Sequence, residues 1–259
     1  IPVHLGGTCC DMEGLSRLSE EYGFKLIEDA SHAIGGKYKN ELVGSCKYSS
    51  ITVFSFHPVK IVTTAEGGAA MTNDPVLHQK MSLHRTHGIT KDKSLFVHPK
   101  KASWYYEQID IGFNYRMSDI HAALGISQLA RLEKIIAERN KLLDSYKKML
   151  FDLPISFLEI PKEILSSVHL AVIRLNCKCT TKHHQIFEGM RNAGIGVQLH
   201  YLPVHLQPYY RSIGFKEGDF PFSEEYSNNA ISLPLFPGLT DQEQLRISST
   251  LRDLISQYS

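Results

Sequence analysis

The sequence has no long apolar run, little net charge and few cysteines. None of its apolar segments approaches the roughly 20 residues that a membrane-spanning helix needs, and no basic stretch followed by an apolar one marks a signal peptide. With 28 basic and 27 acidic residues the formal charge is +1, which provides no field for nucleic acid or an anionic membrane. We therefore expect a soluble protein with neither of these partners. Because the five cysteines are few and odd in number, we also expect it to be cytoplasmic.

A dinucleotide-binding fingerprint and a zinc module are missing as well. No G-x-G-x-x-G follows a predicted strand, which disfavours a nucleotide-dependent dehydrogenase. Cys177 and Cys179, with His183 and His184, are the best candidates for metal ligands, but their spacing matches no standard zinc module. We therefore predict no metal site.

What the sequence does contain is a lysine with informative neighbours. Lys60 ends the segment Ser-Phe-His-Pro-Val-Lys at 55–60, and Thr-Thr-Ala-Glu-Gly-Gly-Ala follows at 63–69. Upstream, an apolar pair at 26–27 leads into Glu-Asp-Ala-Ser-His-Ala at 28–33, which puts Asp29 at the close of a short buried strand. An amine, a carboxylate and a hydroxyl are thus predicted on neighbouring strand ends.

This set of groups suits the chemistry of pyridoxal phosphate (PLP). A lysine amine holds the cofactor aldehyde as a Schiff base, and a carboxylate keeps the pyridine nitrogen protonated so that the ring can accept electrons. Lys60 would be the first group and Asp29 the second, the latter through a charge-assisted hydrogen bond. Ser55 would donate to the cofactor phosphate, and His32 would reach or stack on the ring. Lys60, once released, would carry the substrate proton.

Each of these residues also has a structural interpretation. A lone lysine after a strand is usually a solvated surface charge, and Asp29 can simply cap the end of its strand. His32 is equally well explained as a hydrogen-bonded structural histidine. Gly67 and Gly68 suit a close backbone approach, but a tight hairpin without function would use them too. It is the combination of residues that indicates the cofactor.

The three segments together resemble the DegT/DnrJ/StrS family of sugar aminotransferases, which are fold-type I PLP enzymes. Two later stretches are similar to the same family: Gly112–Asp119 at the start of a helix and Val197–His205 near the start of the last third. The resemblance covers essentially the whole chain. It implies Lys60 as the Schiff-base lysine and Asp29 as the pyridinium partner. It also implies His32 and Ser55 as further cofactor contacts.

Within that family, the chain is most similar to the transaminases of pseudaminic acid biosynthesis, which aminate carbon 4 of a UDP-linked 4-keto-6-deoxy-N-acetylhexosamine. The similarity rests on His32, where many relatives have Gln, and on Thr63–Gly68. It implies L-glutamate as amino donor, a nucleotide sugar as acceptor and ping-pong kinetics. The candidates for contacts with the nucleotide sugar are Arg116, His200, Tyr201 and His205. The Tyr-Leu-Pro run at 201–203 is equally well explained as a strand exit.

The resemblance also implies a homodimer with shared active sites, since Asn114 would reach the cofactor phosphate of a neighbouring subunit. The chain begins at Ile1 and enters at once a helix capped by Asp11, which in the family lies well inside the cofactor domain. Something on the order of a hundred residues, with a phosphate-binding turn and a ring-stacking aromatic, is therefore expected to be absent.

Two alternatives follow from these observations. One is a truncated, catalytically impaired remnant that dimerises or binds sugar nucleotides without turnover. The other is a dehydratase of the same family, in which histidine replaces the lysine. Lys60 argues against the dehydratase.

The apolar patterns predict an α/β fold, which the resemblance makes a fold-type I PLP-dependent transferase. Residues 1–116 would form the C-terminal portion of the large PLP-binding domain, with a mixed, mostly parallel sheet. Residues 117–150 would form a long interdomain helix of about 48 Å, and residues 151–259 a small C-terminal α/β domain. The predicted helices are 11–22, 75–84, 182–192 and 240–256, and the predicted strands are 25–29, 50–55, 68–72, 168–175 and 196–200.

Overall fold

The computed structural model describes residues 1–98, 102–176 and 180–258. The chain divides into two compact units, one made of Ile1–Leu5 and Cys9–Leu132 and the other of Gly6–Thr8 and Glu133–Ser259. None of the helices in the described ranges is long and apolar enough to cross a lipid bilayer.

The first unit is built around a small mixed sheet. Its helices and strands are α1 (Met12–Tyr22), β1 (Ile27–Asp29), β2 (Lys37–Tyr38), β3 (Glu41–Leu42), β4 (Ile51–Ser55), β5 (Gly68–Met71), α2 (Pro75–Arg85), β6 (Ile89–Thr90), β7 (Glu107–Gln108) and α3 (Asp119–Leu129). Strands β1 and β4 are parallel, whereas β4 and β5 are antiparallel with Ser55 opposite Gly68. Val3 adds a parallel bridge to Asp29. The two ends that matter for the predicted site, Asp29 and Ser55, therefore lie on adjacent strands.

Helix α1 begins and ends as the sequence predicts. The Asp11 side chain accepts the N–H of Gly14 at 3.0 Å, which satisfies one of the unpaired donors of the first turn. Gly23 ends the helix with φ of 71°, the left-handed conformation that glycine adopts without steric cost. The predicted caps at both ends of this helix are confirmed.

The buried carboxylate of Glu28 stabilises the sheet through hydrogen bonds. Glu28 accepts hydrogen bonds from Ser49 and, at 3.0 Å, from Thr52, and it contacts Nε2 of His4 at 2.9 Å. Burial alone would raise the pKa of Glu28, but these bonds outweigh it and hold the pKa below its usual range. Phe54 of β4 packs with Ala30 and Ala33 in a small apolar cluster.

Two glycines allow two backbone segments to cross. A Cβ atom on Gly88 would collide with the carbonyl oxygen of Asp110, and one on Gly112 would lie 2.7 Å from the carbonyl oxygen of His84. The residue after this crossing is fixed to the same helix end, since the N–H of Phe113 bonds to the carbonyl of His84 at 2.7 Å. The start of the Gly112–Asp119 motif is thus pinned to the end of α2.

The predicted helix over 117–150 is wrong as a single element. The structure has α3, which ends at Leu129, and a separate helix α4 (Leu132–Met149). The N–H of Arg131 bonds to the carbonyl of Gln128 at 3.0 Å, so the last turn tightens and the α-helical ladder stops. No glycine or proline marks this break, which lies beside the boundary of the two units at 132/133.

The second unit is an antiparallel sheet packed with helices. Besides α4 it contains β8 (Ile155–Phe157), β9 (Ile164–Leu165), β10 (Ala171–Leu175), α5 (Thr180–Asn192), α6 (Pro208–Ser212), α7 (Pro221–Ser227), β11 (Ala230–Leu233) and α8 (Asp241–Tyr258). The strand order is β11-β10-β8. A continuous apolar core joins α4, β10, α5, β11 and α8 through side chains such as Tyr146, Ile173, Met190, Ile231 and Leu251.

The strand predicted at 196–200 is also wrong, because only Gln198 pairs, with Ser232 of β11. Two residues later the pairing passes to side chains, since Nδ1 of His200 lies 2.8 Å from Oγ of Ser232. The other predicted helices and strands are present with shifted ends. The division of the chain into a cofactor domain and a small domain stays a prediction.

Candidate active site

Lys60 lies in the loop between β4 and β5. Backbone hydrogen bonds join the two ends of this loop, and we call these joined ends its neck. The N–H of Phe56, just after β4, donates to the carbonyl of Gly67 at 2.8 Å, and the N–H of Thr64 donates to the carbonyl of Phe56 at 2.9 Å. Within the loop, a turn brings the N–H of Lys60 to the carbonyl of His57 at 2.9 Å. The two residues after Lys60, Ile61 and Val62, are buried, so the lysine backbone is anchored from its C-terminal side.

Gly67 and Gly68 let this neck pack closely. A Cβ on Gly68 would lie 2.7 Å from the carbonyl oxygen of Phe54, and one on Gly67 would lie 2.6 Å from the terminal carbon of Met117. A Cβ on Gly125 of α3 would likewise lie 2.8 Å from the methyl carbon of Thr64. Gly67 and Gly68 thus allow a close backbone approach, as predicted. The Lys60 loop also packs against Met117 and α3.

The Lys60 amine and the Asp29 carboxylate influence each other electrostatically. Burial lowers the pKa of Lys60, and the negative charge of Asp29 opposes this effect without cancelling it. Among the described residues, Lys60 Nζ forms no ion pair or hydrogen bond, so the two groups attract at more than ion-pair distance. The half-buried amine and the carboxylate are thus near enough to interact electrostatically.

One oxygen of Asp29 is committed and the other is open. Oδ1 accepts the N–H of Ser31 at 3.0 Å, so the strand-end cap considered from the sequence is present. Within the described part of the chain, Oδ2 accepts no hydrogen bond. The cap therefore does not compete with a contact to a cofactor, because it uses only one oxygen.

Two further predicted cofactor contacts, His32 and Ser55, lie shortly after Asp29 and at the end of β4. His32 is buried, three residues after Asp29. Oγ of Ser55 accepts the N–H of His57 at 3.5 Å, a long contact that leaves the hydroxyl proton available. Their roles toward a cofactor stay predictions.

Asn114 and Arg116 are exposed on the segment that follows the glycine crossing. Asn114 forms an antiparallel bridge with Thr86 at the end of α2, and the N–H of Tyr115 donates to the carbonyl of Arg85 at 3.0 Å. In the ranges the structure describes, the guanidinium of Arg116 forms no ion pair. Both side chains are therefore free to meet a ligand or a second chain.

The remaining candidates lie in the second unit and differ in exposure. Tyr201 is 52% exposed and its ring meets that of His200 edge-on at 4.8 Å. His205 is buried, with Nε2 at 2.7 Å from a carboxylate oxygen of Glu224 and its ring at 4.8 Å from that of Phe220. Tyr201 can offer a ring to a ligand, whereas the observed contacts of His205 are within its own unit.

Of the four candidate metal ligands, only the two histidines lie within the described residues. Cys177 and Cys179 lie outside the described residues. Nε2 of His183 lies 2.9 Å from the carbonyl oxygen of Ala230. No group of three or more His, Cys, Asp or Glu side chains in the described ranges is placed to hold a metal ion.

Comparison with known proteins identifies the family. Residues 1–252 match the DegT/DnrJ/EryC1/StrS aminotransferase family. The chain belongs to this family. Its fold is accordingly the α/β fold of fold-type I aminotransferases, of which it contains a part: the chain spans about two thirds of the length of the family members described next.

Three members illustrate the similarity. The spore coat polysaccharide biosynthesis protein SpsC of Bacillus subtilis is 33% identical over 98% of this chain and 66% of its own length. The putative sugar aminotransferase Spr1654 from Streptococcus pneumoniae, solved in its PMP form, is 28% identical with a TM-score of 0.91, covering 100% of this chain and 69% of its own. Helicobacter pylori PseC, an aminotransferase of pseudoaminic acid biosynthesis, is 31% identical with a TM-score of 0.89, covering 98% and 66%. Spr1654 has also been solved in a PLP form.

Two features of this family member were not predicted from its sequence. One is the Glu28 network, whose partner His4 is 24 residues away. The other is the side chain of Thr63, which donates to the carbonyl of Phe56 at 3.1 Å and accepts the N–H of Ala65 at 3.0 Å. A hydroxyl two residues before a backbone N–H is the local signal that could have suggested the second contact.

Proposed function

We propose that this chain carries the lysine-bearing site of a PLP-dependent aminotransferase. It would move an amino group from an amino acid, L-glutamate, to the keto carbon of a nucleotide-linked 4-keto-6-deoxy sugar. The observation that carries the proposal is the pair Lys60 and Asp29: a half-buried amine of lowered pKa and a carboxylate with an open oxygen, attracted to each other without an ion pair. Such a pair suits a small aromatic molecule that needs an amine at one end and a carboxylate at the other.

The donor set fits PLP. Lys60 would hold the aldehyde carbon and Oδ2 of Asp29 would accept the pyridinium N–H, while Ser55 would donate to the phosphate and His32 would contact the ring. Bound PLP supplies an electron sink for the carbanion formed when the substrate carbon loses its proton.

Lys60 and Asp29 would provide the proton transfer and the charge stabilisation. Because burial lowers the pKa of Lys60, a larger share of its amine is neutral near pH 7 and able to act as a nucleophile or accept a proton. The Asp29 carboxylate would stabilise the positive charge of the heterocycle through a charge-assisted hydrogen bond.

The acceptor is the finer part of the proposal. We place it in the class of UDP-linked 4-keto-6-deoxy-N-acetylhexosamines, aminated at carbon 4, as in the biosynthesis for which PseC is named. The 31% identity to PseC supports this choice. The candidates for substrate contacts stay Arg116, His200, Tyr201 and His205: a guanidinium suits a diphosphate, and an exposed tyrosine ring suits stacking on a base.

We also propose a homodimer with shared active sites, in which Asn114 reaches the cofactor phosphate of the second copy. Helix α3 supports this. It carries large apolar side chains that are exposed in the single chain, with Ile120 82% exposed and Ile126 71% exposed. A helix surface with such exposed apolar side chains is normally covered by a partner.

The lysine linkage is tested by trapping PLP on the chain. Borohydride reduction of the chain incubated with PLP, followed by peptide mass mapping, should place the cofactor on Lys60, and Lys60→Ala should abolish both the label and the visible absorbance. Lys80→Ala is the matched control, because Lys80 is an exposed lysine of α2 in the same unit. Labelling spread over many lysines, or unchanged in Lys60→Ala, would overturn the proposal.

The reaction is tested with each substrate separately. L-Glutamate should release 2-oxoglutarate from the PLP-loaded chain, and the UDP-4-keto sugar should then be aminated, whereas the same nucleotide sugar with a hydroxyl at carbon 4 should not react. Binding of the nucleotide sugar without amination would favour the remnant instead.

A further inference from the structure

The loop that carries Lys60 has two limbs, and one side chain joins them. Phe56 lies on the limb before Lys60 and Ala65 on the limb after it. The hydroxyl of Thr63 donates to the carbonyl of Phe56 at 3.1 Å and accepts the N–H of Ala65 at 3.0 Å. A single oxygen therefore spans the loop from one side to the other.

The neighbouring residue tightens the same region. Thr64 is buried, and its hydroxyl donates to the carbonyl of Glu66 at 2.7 Å. Between them, the two hydroxyls hold the N–H of Ala65 and the carbonyl of Glu66, and so restrain the segment that contains Ala65, whose φ of 64° is unusual for a residue with a Cβ. The strained residue is kept in place by side-chain bonds and not by its own preference.

We propose that Thr63 is a positioning residue for Lys60: its hydroxyl bridge fixes the loop so that the amine keeps its partly buried place beside Asp29. This inference rests on the proposed function, since it gives Lys60 the fixed geometry that repeated linkage to and release from PLP requires. Thr63 itself does not touch the reacting atoms. Its effect is transmitted through the carbonyl of Phe56 and the N–H of Ala65.

The chain offers a closely matched control. Thr72 makes the same two kinds of bond: its hydroxyl donates to the carbonyl of Ser50 at 2.7 Å and accepts the N–H of Asp74, two residues on, at 3.1 Å. Thr72 is in the same unit but at the end of β5, outside the Lys60 loop. Thr72→Val therefore removes equivalent bonds without altering the loop neck.

The first measurement needs no cofactor. Acetylation of Lys60 as a function of pH, followed by mass spectrometry, reports the pKa of its amine, on which Asp29 is the charged group that acts. Thr63→Val should loosen the loop and let water reach the amine, so the pKa rises toward the ordinary lysine value. The neutral fraction at pH 7 should then fall about threefold, on the scale of one net hydrogen bond. Thr72→Val and Thr63→Ser should behave as the wild type.

The second measurement uses PLP. Its dissociation constant, from the visible absorbance of the lysine-linked form, should rise about fivefold in Thr63→Val and be restored in Thr63→Ser. Thr63→Ala removes the same bonds with a smaller side chain and replaces the valine variant if that does not fold.

The outcomes separate the two proposals. If the wild type links PLP to Lys60 and Thr63→Val matches Thr72→Val in both measurements, the positioning role is wrong and the proposed function stands. If the wild type does not link PLP but Thr63→Val still raises the pKa of Lys60 selectively, the function is wrong and the loop bridge stands.

Discussion

Within the described part of the chain, the charge that acts on the Lys60 amine is that of Asp29, and burial and this charge shift the pKa of the amine in opposite directions. Burial disfavours the ammonium ion and lowers the pKa, while the carboxylate favours the ammonium ion. The balance leaves the amine easier to deprotonate than an exposed lysine. A proton-transferring residue near neutral pH needs this property.

Removal of the carboxylate charge should therefore lower the pKa of Lys60 further. In Asp29→Asn the opposing effect is lost and burial remains, so Lys60 should lose its proton at a lower pH and be acetylated faster at pH 7. The pH profile of Lys60 acetylation measures this directly. Asp119→Asn, a change at an exposed carboxylate of the same unit, should leave the profile unchanged. An unaltered profile in Asp29→Asn would contradict the coupling of the two groups.

At the scale of elements, the stability of the first unit's sheet depends on the buried, ionised carboxylate of Glu28. His4, Ser49 and Thr52 all bond to this carboxylate. Because the folded-state pKa is lowered, the stabilisation is fully present above the unfolded-state pKa of a glutamate. It is lost as the pH falls through the lower folded-state value.

Glu28→Gln should accordingly destabilise the chain at pH 7 by about 2–3 kcal/mol, because an amide cannot accept all three bonds. The difference from the wild type should shrink in acid, where the wild-type carboxylate is itself protonated. Urea unfolding at pH 7 and at acidic pH checks both statements. Glu21→Gln, at an exposed position next to the end of α1, provides the comparison, and an equal loss in both variants would contradict the network.

The elements that the sequence predicts well are those with local signals. Helix α1 is set by Asp11 and Gly23, both adjacent to it, and its bounds are confirmed. The break between α3 and α4 has no such signal, since Leu129-Ala130-Arg131-Leu132 are all good helix formers. Helical continuity there is decided by packing within each unit, which a local pattern does not contain.

The same contrast holds for the site. The motifs select Lys60 and Asp29 as candidates, because the proposed chemistry needs an amine and a carboxylate, and in the structure the charge of Asp29 acts on the Lys60 amine. They do not identify the partner of Glu28, because a contact across 24 residues depends on the fold. They also leave the roles of His32, Ser55 and Asn114 as predictions.

At the scale of the whole molecule, the two units differ in how much apolar surface they bury. In the second unit one continuous core joins five helices and strands, with Ile173, Met190, Ile231 and Leu251 essentially inaccessible. In the first unit the described buried apolar side chains form smaller groups, such as Phe54 with Ala30 and Ala33, and large apolar side chains such as Ile111 and Ile120 are more than four-fifths exposed. The free energy needed to open a region locally is larger where more apolar contacts are buried.

We therefore expect the slowest amide hydrogen exchange in the second unit. Peptides covering β10, β11 and α8 should retain protons longest, and those covering β1 and β4 should exchange earlier. Hydrogen exchange followed by mass spectrometry, with an unfolded chain as the reference, measures this order. Equal protection of β4 and β10 would show that the small core of the first unit is more stable than its burial indicates.

The crossing of the two segments at Gly88 and Gly112 bears on the direction of Asn114, the residue predicted to reach a second subunit. A methyl group on either glycine would collide with the backbone of the other segment, so the two backbones lie in direct contact. The direction in which Asn114 leaves the surface is therefore dictated by the turn that follows α2. An insertion or deletion between Thr86 and Ile89 would redirect Asn114 without changing a single residue of its own motif.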